Sequence, residues 1–560
     1  MRLSIKGNPK LVYVVKTTYD NKKEVTTIVE RLGRLSELEK VHEDAIGWAK
    51  EHVRSLNEKA RQDEILLKLS ANKLIPKDTN RCFNGGYLFL QKLYRELKLD
   101  KICVQIANKY KFEYNLDSIL SRLLYARLIY PSSKLATYEL SNRFLERPDF
   151  ELHQIYRALE VISRESDFIQ SEIYKSSANA HKRKTGILYY DCTNYFFEIE
   201  KEDEFRKYGF SKDHKPNPIV QMGLFMDADG IPLAFDISSG NTNEQTTLMP
   251  LEKKILEDFK LSKFVVCTDA GLSSYANKKF NNVAGRAFIT TQSIKKLPNH
   301  LIDWSLDPKG WRVVGCEKLH DISTVTDSEK IFYKERWINE KELSQKLVVT
   351  FSLKCRDYQM TIRENQIKRA QRAIDTNRAD SPPLNSHKRL IEKVYCTADG
   401  EVAEKTDHRI NKTLVDEESK YDGFYGVCTN LDEPVSTIIE INRQRWEIEE
   451  CFQIMKSEFK ARPVYLSRED RIKAHFMTCF LTLLLYRLLE KKLGDKFTHH
   501  EIIKTLREMN FTKIHGEGYI PSYTRTDLTD NLHATFNLRT DTEILPFRKT
   551  DNYFKRSYLA

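Results

Sequence analysis

The spacing of apolar residues changes near residue 186 of this chain of 560 residues. Before that point, in 85–180, apolar residues recur three and four positions apart, as in LDSILSRLLYARLI, which predicts helices. After it, short apolar runs of the strand type alternate with turns and with helical stretches at 244–260 and 271–280. The strand-like runs are 187–191, 219–227, 231–238, 263–269 and 286–291. Their order, β-β-β-α-β-α-β, predicts a mixed sheet covered by helices.

The segments on either side of this alternating region are less regular. Residues 11–33 hold two β-branched runs around a polar turn, which predicts a hairpin, and 36–70 have the spacing of a charged helix. Residues 296–424 hold three strand-like stretches and a strongly charged helix, so we interpret them as an insertion with an exposed loop at 379–386. Two further helices are predicted, at 436–459 and at 474–490.

The composition is that of a folded, mildly basic protein. Hydrophobic residues make up 40% and aromatic residues 11%, which excludes a disordered chain, and the net charge is +11. At about 150 residues per domain, the length predicts three or four domains. The ten cysteines are scattered without a CxxC pair, which is typical of a reducing compartment. The longest apolar run, 476–486, is shorter than the roughly 20 residues that span a bilayer. We therefore expect a cytoplasmic protein without a membrane partner.

Three acidic residues stand where metal chemistry is plausible. Asp191 and Asp269 each close a strand-like run, and adjacent strands would bring both carboxylates to one edge of the sheet. Glu449 lies in the long predicted helix. Three convergent carboxylates suit Mg²⁺ or Mn²⁺ rather than Zn²⁺, and two such ions together can cleave a phosphodiester. The alternative is that acids at strand ends only cap or turn the chain.

The predicted helix around Glu449 presents a charged face. Asn442, Arg445, Glu449, Phe452 and Lys456 are spaced by 3, 4, 3 and 4 residues, so they share that face. A basic pair beside a metal-binding acid is suited to phosphate capture. The alternative is an ordinary Arg–Glu pair on a helix surface.

These residues together resemble the insertion-sequence DDE transposases, a family with an RNase H-like catalytic core. The late signature of that family is Tyr-x2-Arg-x3-Glu-x6-Lys. The stretch NRQRWEIEECFQIMK (442–456) matches it at Arg445, Glu449 and Lys456, and departs from it at Asn442. Four earlier blocks also resemble the family, in order: YYDCTNYFF (189–197), GFSKDHKPNPIVQMGLFMDADGIPLAF (209–235), GNTNEQTTL (240–248) and CTDAGL (267–272).

The resemblance implies an α/β fold. An RNase H-like mixed-sheet catalytic core would carry a β-rich insertion and follow a helical N-terminal region. The domains expected on this basis are an N-terminal hairpin and helix (1–75), a helical and DNA-binding region (76–180), the discontinuous catalytic core (181–295 and 425–495), the insertion (296–424), and a C-terminal region for DNA binding or dimerisation (496–560).

The resemblance also implies a reaction and its partners. Asp191, Asp269 and Glu449 would be the catalytic residues and would hold two Mg²⁺ ions, with Mn²⁺ able to substitute. Water would cut a strand at the end of the element, and the freed 3′-OH would attack target DNA. The expected substrate is double-stranded DNA at the terminal inverted repeats, bound by a homodimer.

Further residues are candidates for DNA contact. Arg445, Lys456 and the neighbouring Arg443 would hold backbone phosphates. A basic loop after the first strand and three aromatic residues of the insertion, which would stack on a flipped base, complete the set: Lys212, His214, Lys215, Trp304, Trp311 and Trp337. The simpler interpretations are a solvated loop and tryptophans of the core.

Two other functions share much of this pattern. A transposase-derived protein that binds DNA without cleaving it would be equally basic, although three intact acids favour catalysis. An RNase H-like nuclease acting on RNA or junctions would use the same metals but would need no recognition of specific ends.

Overall fold

The computed structural model describes residues 1–20, 23–59, 65, 67, 70–376, 387–395 and 406–558. The chain divides into two compact units. The first comprises residues 1–89, 143–146 and 504–560, and the second comprises 90–142 and 147–503. The finer division into five parts stays a prediction, and the loop predicted at 379–386 lies outside the described residues.

The first 180 residues form the predicted hairpin and then the predicted series of helices. Side chains cap two of these helices: Asn115 accepts a hydrogen bond from the Ser118 amide, and Ser133 accepts one from the Ala136 amide. The elements are strands β1 (Arg2–Lys6), β2 (Leu11–Asp20), β3 (Lys23–Arg34) and β4 (Cys82–Asn84), and helices α1 (Leu35–Leu38), α2 (Ala45–Lys59), α3 (Tyr87–Glu96), α4 (Leu99–Tyr110), α5 (Leu116–Ile129), α6 (Lys134–Leu140), α7 (Leu152–Arg164) and α8 (Ser166–Ala180).

The middle of the chain is rich in strands. Its first seven strands and helices follow the predicted order β-β-β-α-β-α-β. The elements are strands β5 (Ile187–Phe196), β6 (Ile219–Asp227), β7 (Pro232–Ser239), β8 (Phe264–Thr268), β9 (Arg286–Gln292), β10 (Trp311–Val313), β11 (Cys316–His320), β12 (Phe332–Glu340) and β13 (Leu343–Phe351), and helices α9 (Leu248–Asp258), α10 (Tyr275–Phe280) and α11 (Asn299–Leu306).

Helices predominate in the described residues that follow, together with short strands. The long helix predicted over 436–459 is present as two helices, α14 and α15. The elements are helices α12 (Leu353–Asp375), α13 (Lys412–Ser419), α14 (Val435–Arg443), α15 (Trp446–Ser457), α16 (Glu469–Lys492), α17 (His499–Glu508), α18 (Asp527–Phe536) and α19 (Phe547–Tyr558), and strands β14 (Ile391–Tyr395), β15 (Thr406–Ile410), β16 (Phe424–Thr429), β17 (Asn510–Ile514), β18 (Gly518–Pro521) and β19 (Leu545–Pro546).

A ten-stranded mixed sheet dominates the second unit, in the order β11-β10-β12-β13-β16-β9-β8-β5-β6-β7. Strand β5 pairs parallel with β8 and antiparallel with β6, and β8 pairs parallel with β9. The predicted mixed sheet is therefore confirmed. The strands of the predicted insertion extend this same sheet, because β13 pairs with β16 and β16 pairs with β9.

Helices cover both halves of this sheet and close two hydrophobic clusters. One cluster packs α9 against β5, β6 and β8, with Tyr190, Phe225 and Leu251 inside it. The other encloses Trp311 among side chains of β12, β13 and β9. Burial of this apolar surface is the main term that holds the unit together.

Helix α16 is deeply buried in the second unit, and it contacts α5, α7 and β7. By length and composition alone it could cross a membrane, but 94% of its apolar window is buried inside the protein. Its even hydrophobicity is therefore that of a core helix, surrounded by protein on all sides.

The first unit contains two smaller sheets. Strands β1, β2 and β3 form one, and the order β19-β18-β17-β4 forms the other. The second sheet pairs residues near position 83 with residues near 511, through the register Phe83↔Phe511. Strands of two to five residues, assembled from distant parts of the chain, explain why the region 496–560 shows no clear period in its sequence.

Candidate active site

Asp191 and Asp269 lie at the same level on neighbouring strands. The parallel register of β5 and β8 pairs Tyr189 with Cys267, so two residues further on Asp191 is level with Asp269. The prediction that Asp191 ends its strand is wrong, because β5 continues to Phe196 through its pairing with β6. Strand β8, in contrast, stops at Thr268. Asp191 therefore stands on an edge of β5 that β8 leaves open.

The side chain of Tyr189 shows which face of the sheet carries Asp191. The Tyr189 hydroxyl donates to the carbonyl of Ile441 at 2.9 Å and to Oε1 of Gln444 at 3.1 Å. Residues two apart in a strand share a face, so Asp191 emerges on the side covered by α14 and α15. The packing of α15 against β5 brings Glu449 to this same face.

Burial dominates the electrostatics of Asp191. It raises the pKa of the Asp191 carboxyl to about 6, opposed by Lys212 and Arg445 and reinforced by the negative charge of Asp269. The carboxylate accepts a hydrogen bond from the Cys192 amide at 2.7 Å. Asp269 accepts one from the Leu272 amide at 3.1 Å, as the N-cap of a short 3₁₀ turn. Two acids that disfavour each other's charge are suited to share a cation.

Arg445 occupies the junction between α14 and α15, close to the acids. Its guanidinium lies 3.5 Å from Oε1 of Glu449. Burial alone lowers the pKa of Arg445, but the neighbouring groups outweigh that effect and raise it. These groups are Tyr425, Asp191, Glu449 and Asp269. The positive charge of Arg445 therefore interacts electrostatically with all three predicted catalytic acids.

The three acids are not assembled into a finished metal site. Over the described ranges, no three His, Cys, Asp or Glu side chains are placed so that they could hold a metal ion. Glu449 is 61% exposed and turned towards Arg445. The donor chemistry still fits a hard divalent cation, since Asp191 and Asp269 supply adjacent carboxylate oxygens. Glu449 would complete the set by rotating away from Arg445.

The predicted basic loop lies beside the acids and is held by the strand. Asn194 of β5 accepts from the Lys212 amide at 3.1 Å and donates to the Phe210 carbonyl at 2.9 Å. The Lys212 ammonium contacts the carbonyl of Cys192 and lies 3.2 Å from Glu244. His214 and Lys215 are exposed on the same loop. Lys212 is thus close to Asp191, and the Lys215 ammonium lies 5.8 Å from the centre of the Phe196 ring.

Lys456 lies on α15 in a cluster that includes an acid of this loop. Its Nζ is 3.7 Å from Oδ2 of Asp213 and 5.6 Å from the centre of the Tyr195 ring. Arg462 also contacts Asp213. Burial lowers the pKa of Lys456, with Asp213 acting in the opposite direction. Asp213 is thereby an ion-pair partner for two cations.

The remaining predicted contact residues differ in accessibility. Trp311 is 0% exposed and its indole donates to the Asp307 carbonyl at 2.8 Å, so it has no free face for a base. Trp304 is partly buried against the same cluster. Trp337, at 48% exposed, is the most accessible of the three rings, and Arg443 is exposed at the end of α14. The stacking role predicted for Trp311 is therefore contradicted by its burial.

Sequence reasoning missed Tyr425, Glu244 and Arg462 at this site. The Tyr425 hydroxyl is 2.7 Å from that of Thr291, and Asn442 donates to it at 3.4 Å. No spacing rule in the sequence links its strand, β16, to α14. Glu244 lies in the block 240–248, which resembles the family. That resemblance was the signal in the sequence that could have led to Glu244 as a partner of Lys212.

Paired carboxylates with cationic side chains beside them are suited to metal-assisted phosphoryl transfer. A family model described as the transposase DDE domain matches residues 195–485, more than half of the chain. The chain therefore belongs to the DDE transposase family. It is a DNA transposase, and its family uses divalent metal ions. The matched range includes Asp269 and Glu449 and begins just after Asp191.

The other comparisons add little. A solved structure, the piggyBac transposase synaptic complex with hairpin DNA, is similar with 8% identity over 84% of each chain and a TM-score of 0.37. A likeness this remote supports no statement about the present chain. No curated protein matches it.

Proposed function

We propose that this transposase cleaves the ends of its insertion sequence and joins them to target DNA with Asp191, Asp269 and Glu449 as the catalytic acids. The three carboxylates would hold two Mg²⁺ ions, with Mn²⁺ able to substitute. Bound in this way, the ions supply an activated water and stabilise the leaving oxygen of the phosphodiester. Support comes chiefly from one observation: Asp191 and Asp269 are level on adjacent parallel strands, and Arg445 senses both acids and Glu449.

The cationic side chains of the site have a separate task. Arg445 and Lys456 are partly shielded from solvent, where a charge-assisted contact to a phosphate is stronger than in water. A bound DNA backbone would replace Glu449 as the neighbour of Arg445 and would compete with Asp213 for Lys456. The release of Glu449 from Arg445 would then free its carboxylate for the metal ions.

The exposed basic and aromatic side chains are the candidates for wider DNA contact. Lys215, His214 and Arg443 are accessible to a backbone phosphate, and Lys212 stands next to Asp191. Of the tryptophans, Trp337 has the most accessible ring for stacking on an unpaired base, and Trp304 is a weaker candidate.

The assembly and setting follow from the reaction. Two ends of one element must be cut in a single complex, so we infer a homodimer that binds the terminal inverted repeats and then the target DNA. The nine described cysteines are all free thiols, which supports a reducing compartment such as the cytoplasm.

The direct test is cleavage of labelled DNA that carries the ends of the element, in the presence of Mg²⁺. Wild type should cut at the junction, whereas Asp191→Ala should bind the same DNA without cutting it. Asp303→Ala, which removes an exposed acid on α11, is the matched control and should cut normally. If wild type binds but does not cut with either Mg²⁺ or Mn²⁺, the chain is a non-catalytic DNA-binding protein. Cutting that is indifferent to the end sequence would instead identify an RNase H-like nuclease.

A further inference from the structure

A cavity of about 660 Å³ opens beside the end of α5, the start of α6 and the segment 460–466 that follows α15. This volume lies in the range of roughly 300–1,000 Å³ that is usual for sites of small ligands. Four of its lining residues are basic, and none of the described residues lining it is acidic: the basic ones are Arg127, Lys134, Lys460 and Arg462. The cavity is therefore positive: Arg462 is paired with Asp213, which does not line it, whereas Arg127 and Lys134 have no acidic partner among the described residues.

Lys134 is the most informative of these residues. It is 5% exposed, and in the part of the chain that the structure describes no hydrogen bond or ion pair reaches its ammonium group. Buried lysines are nearly always paired, because an isolated buried charge is costly. Lys134 lines the cavity, which leaves room for such a partner.

Arg127 adds a second, rigidly held positive charge. Its guanidinium donates to the carbonyls of Ser132 and Phe459, each at 3.2 Å, and its Nε has no partner within the described chain. Carbonyl oxygens fix the position of a guanidinium without cancelling its charge. A cation held in this way needs no rearrangement to bind an anion.

The other titratable groups around Lys134 do not neutralise this charge. Burial and then Arg127 lower the pKa of Lys134 to about 7, with the Cys479 thiol acting weakly in the opposite direction. The ring of His475 is 3.0 Å from the Ala461 carbonyl, and burial first and the two cations next hold its pKa well below the usual value. The surroundings therefore favour a bound anion over a bare ammonium group.

Part of the remaining wall is apolar or aromatic. Tyr156, Pro463 and Leu466 line the cavity together with the cations. Aromatic and prolyl surfaces are suited to the face of a base or of a sugar. The cavity thus combines a subsite for an anion with a flat apolar surface. These two features are complementary to the phosphate and to the base or sugar of a nucleotide.

One residue connects this cavity to the acids. Arg462 lines the cavity and also contacts Asp213, whose carboxylate is 3.7 Å from Lys456 on α15. A strand whose phosphates lie on Lys456 would therefore reach the cavity through Arg462.

We propose that this cavity binds a nucleoside phosphate, with the phosphoryl group on Lys134 and Arg127 and the base or sugar against Tyr156 and Pro463. The nucleotide is either free or part of a DNA strand; only the second source rests on the proposed function. In both cases the phosphoryl oxygens accept charge-assisted hydrogen bonds from the two cations.

The test is calorimetric titration of the full chain with dAMP, together with fluorescence anisotropy of a labelled single-stranded oligonucleotide. Lys134→Met keeps an unbranched side chain, one atom shorter, and removes its charge, and Lys101→Met makes the same change on the exposed face of α4 as a control. We expect wild type and Lys101→Met to bind alike, and Lys134→Met to bind at least about tenfold more weakly, because a hydrogen bond to a charged group is lost.

Each outcome decides the proposal. A loss of dAMP affinity alone identifies a free nucleotide as the ligand, and a loss of oligonucleotide affinity identifies a DNA strand. Equal binding by wild type and Lys134→Met, or no dAMP and oligonucleotide binding by wild type, overturns it. Tyr156→Ala, which removes the aromatic part of the wall, takes the place of Lys134→Met if that variant does not fold. Failure of the proposed function is distinguishable, since it would leave DNA uncut by wild type whatever this cavity binds.

Discussion

At the scale of single residues, Lys134 makes folding depend on pH. Its pKa is about 7 in the folded chain, whereas an unfolded lysine keeps a pKa of about 10.4. Between these values the unfolded chain binds one more proton, so the stability of the wild type rises with pH, and the cost of burying the charge is fully present below pH 7.

Lys134→Met should therefore raise the free energy of unfolding at neutral pH. Each unit of pKa difference corresponds to about 1.4 kcal/mol, so the gain should amount to several kcal/mol at pH 7 and shrink steadily as the pH approaches that of free lysine. Urea denaturation of both proteins at a series of pH values, without phosphate in the buffer, measures this difference. A gain that does not change with pH would show that the ammonium group is not buried as a charge.

The hydroxyl of Tyr425 contacts Thr291 and Asn442 beside Arg445. Tyr425→Phe removes the contact with Thr291 and Asn442 and alters the surroundings of Arg445, while the ring keeps its place on β16. We expect cleavage of end DNA to fall about tenfold, as for the loss of one hydrogen bond near a charged group, with little change in stability. Single-turnover rates and thermal unfolding measure the two effects. Tyr333→Phe, which makes the same change on β12 of the same sheet, should leave the rate unchanged.

At the scale of elements, the junction of α14 and α15 depends on strand β5. The carbonyl of Ile441 accepts a hydrogen bond from the Tyr189 hydroxyl. The Arg445 amide, which would bond to Ile441 in a regular helix, donates to the Asn442 carbonyl at 3.4 Å. The bond that would continue a regular helix from Ile441 to Arg445 is thus replaced by one from the sheet. Tyr189 therefore helps to fix the backbone position of Arg445.

Tyr189→Phe should loosen this junction. Loss of a buried hydrogen bond costs about 1 kcal/mol of the free energy of unfolding, and the freed Arg445 should hold DNA less firmly. Chemical denaturation gives the first quantity, and the dependence of the cleavage rate on DNA concentration gives the second. Tyr190→Phe is the matched control, because its hydroxyl contacts Thr247 on the opposite face of the sheet. Equal effects of the two substitutions on DNA affinity would contradict the role assigned to Tyr189.

The same junction shows where sequence-based prediction ends. The strand order around Asp191 and Asp269 was predictable because buried strands leave contiguous apolar runs, and the structure confirms it. The division of the helix predicted over 436–459 was not predictable from the sequence. Gln444 and Arg445 keep right-handed helical backbone angles, and no Pro or Gly at these positions marks a break. The cause of the division is a hydroxyl 255 residues away in sequence. The contact of Glu449 with Arg445 is, in contrast, an i, i+4 pair that the spacing in the sequence already offered.

At the scale of the whole molecule, the net charge of +11 favours binding of a polyanion such as DNA. Binding of DNA should weaken steeply as salt rises, because each phosphate contact releases condensed counterions. Lys456→Gln should reduce the slope of log affinity against log salt by about 1, for DNA of any sequence. Anisotropy titrations over a range of salt concentrations measure the slope. The exposed Lys101→Gln serves as the control, and an unchanged slope in Lys456→Gln would remove that residue from the DNA contacts.

The most direct test of the catalytic assignment is the binding of Mn²⁺ to the protein on uncut end DNA, followed by electron paramagnetic resonance. Wild type and Asp303→Asn should bind two ions equally well. Asp191→Asn, Asp269→Asn and Glu449→Gln should each bind them at least about tenfold more weakly, because each removes a carboxylate ligand, and changes even in the outer partners of metal ligands cost roughly 10–100-fold in affinity. Mn²⁺ binding by Asp191→Asn that equals that of wild type would contradict the account.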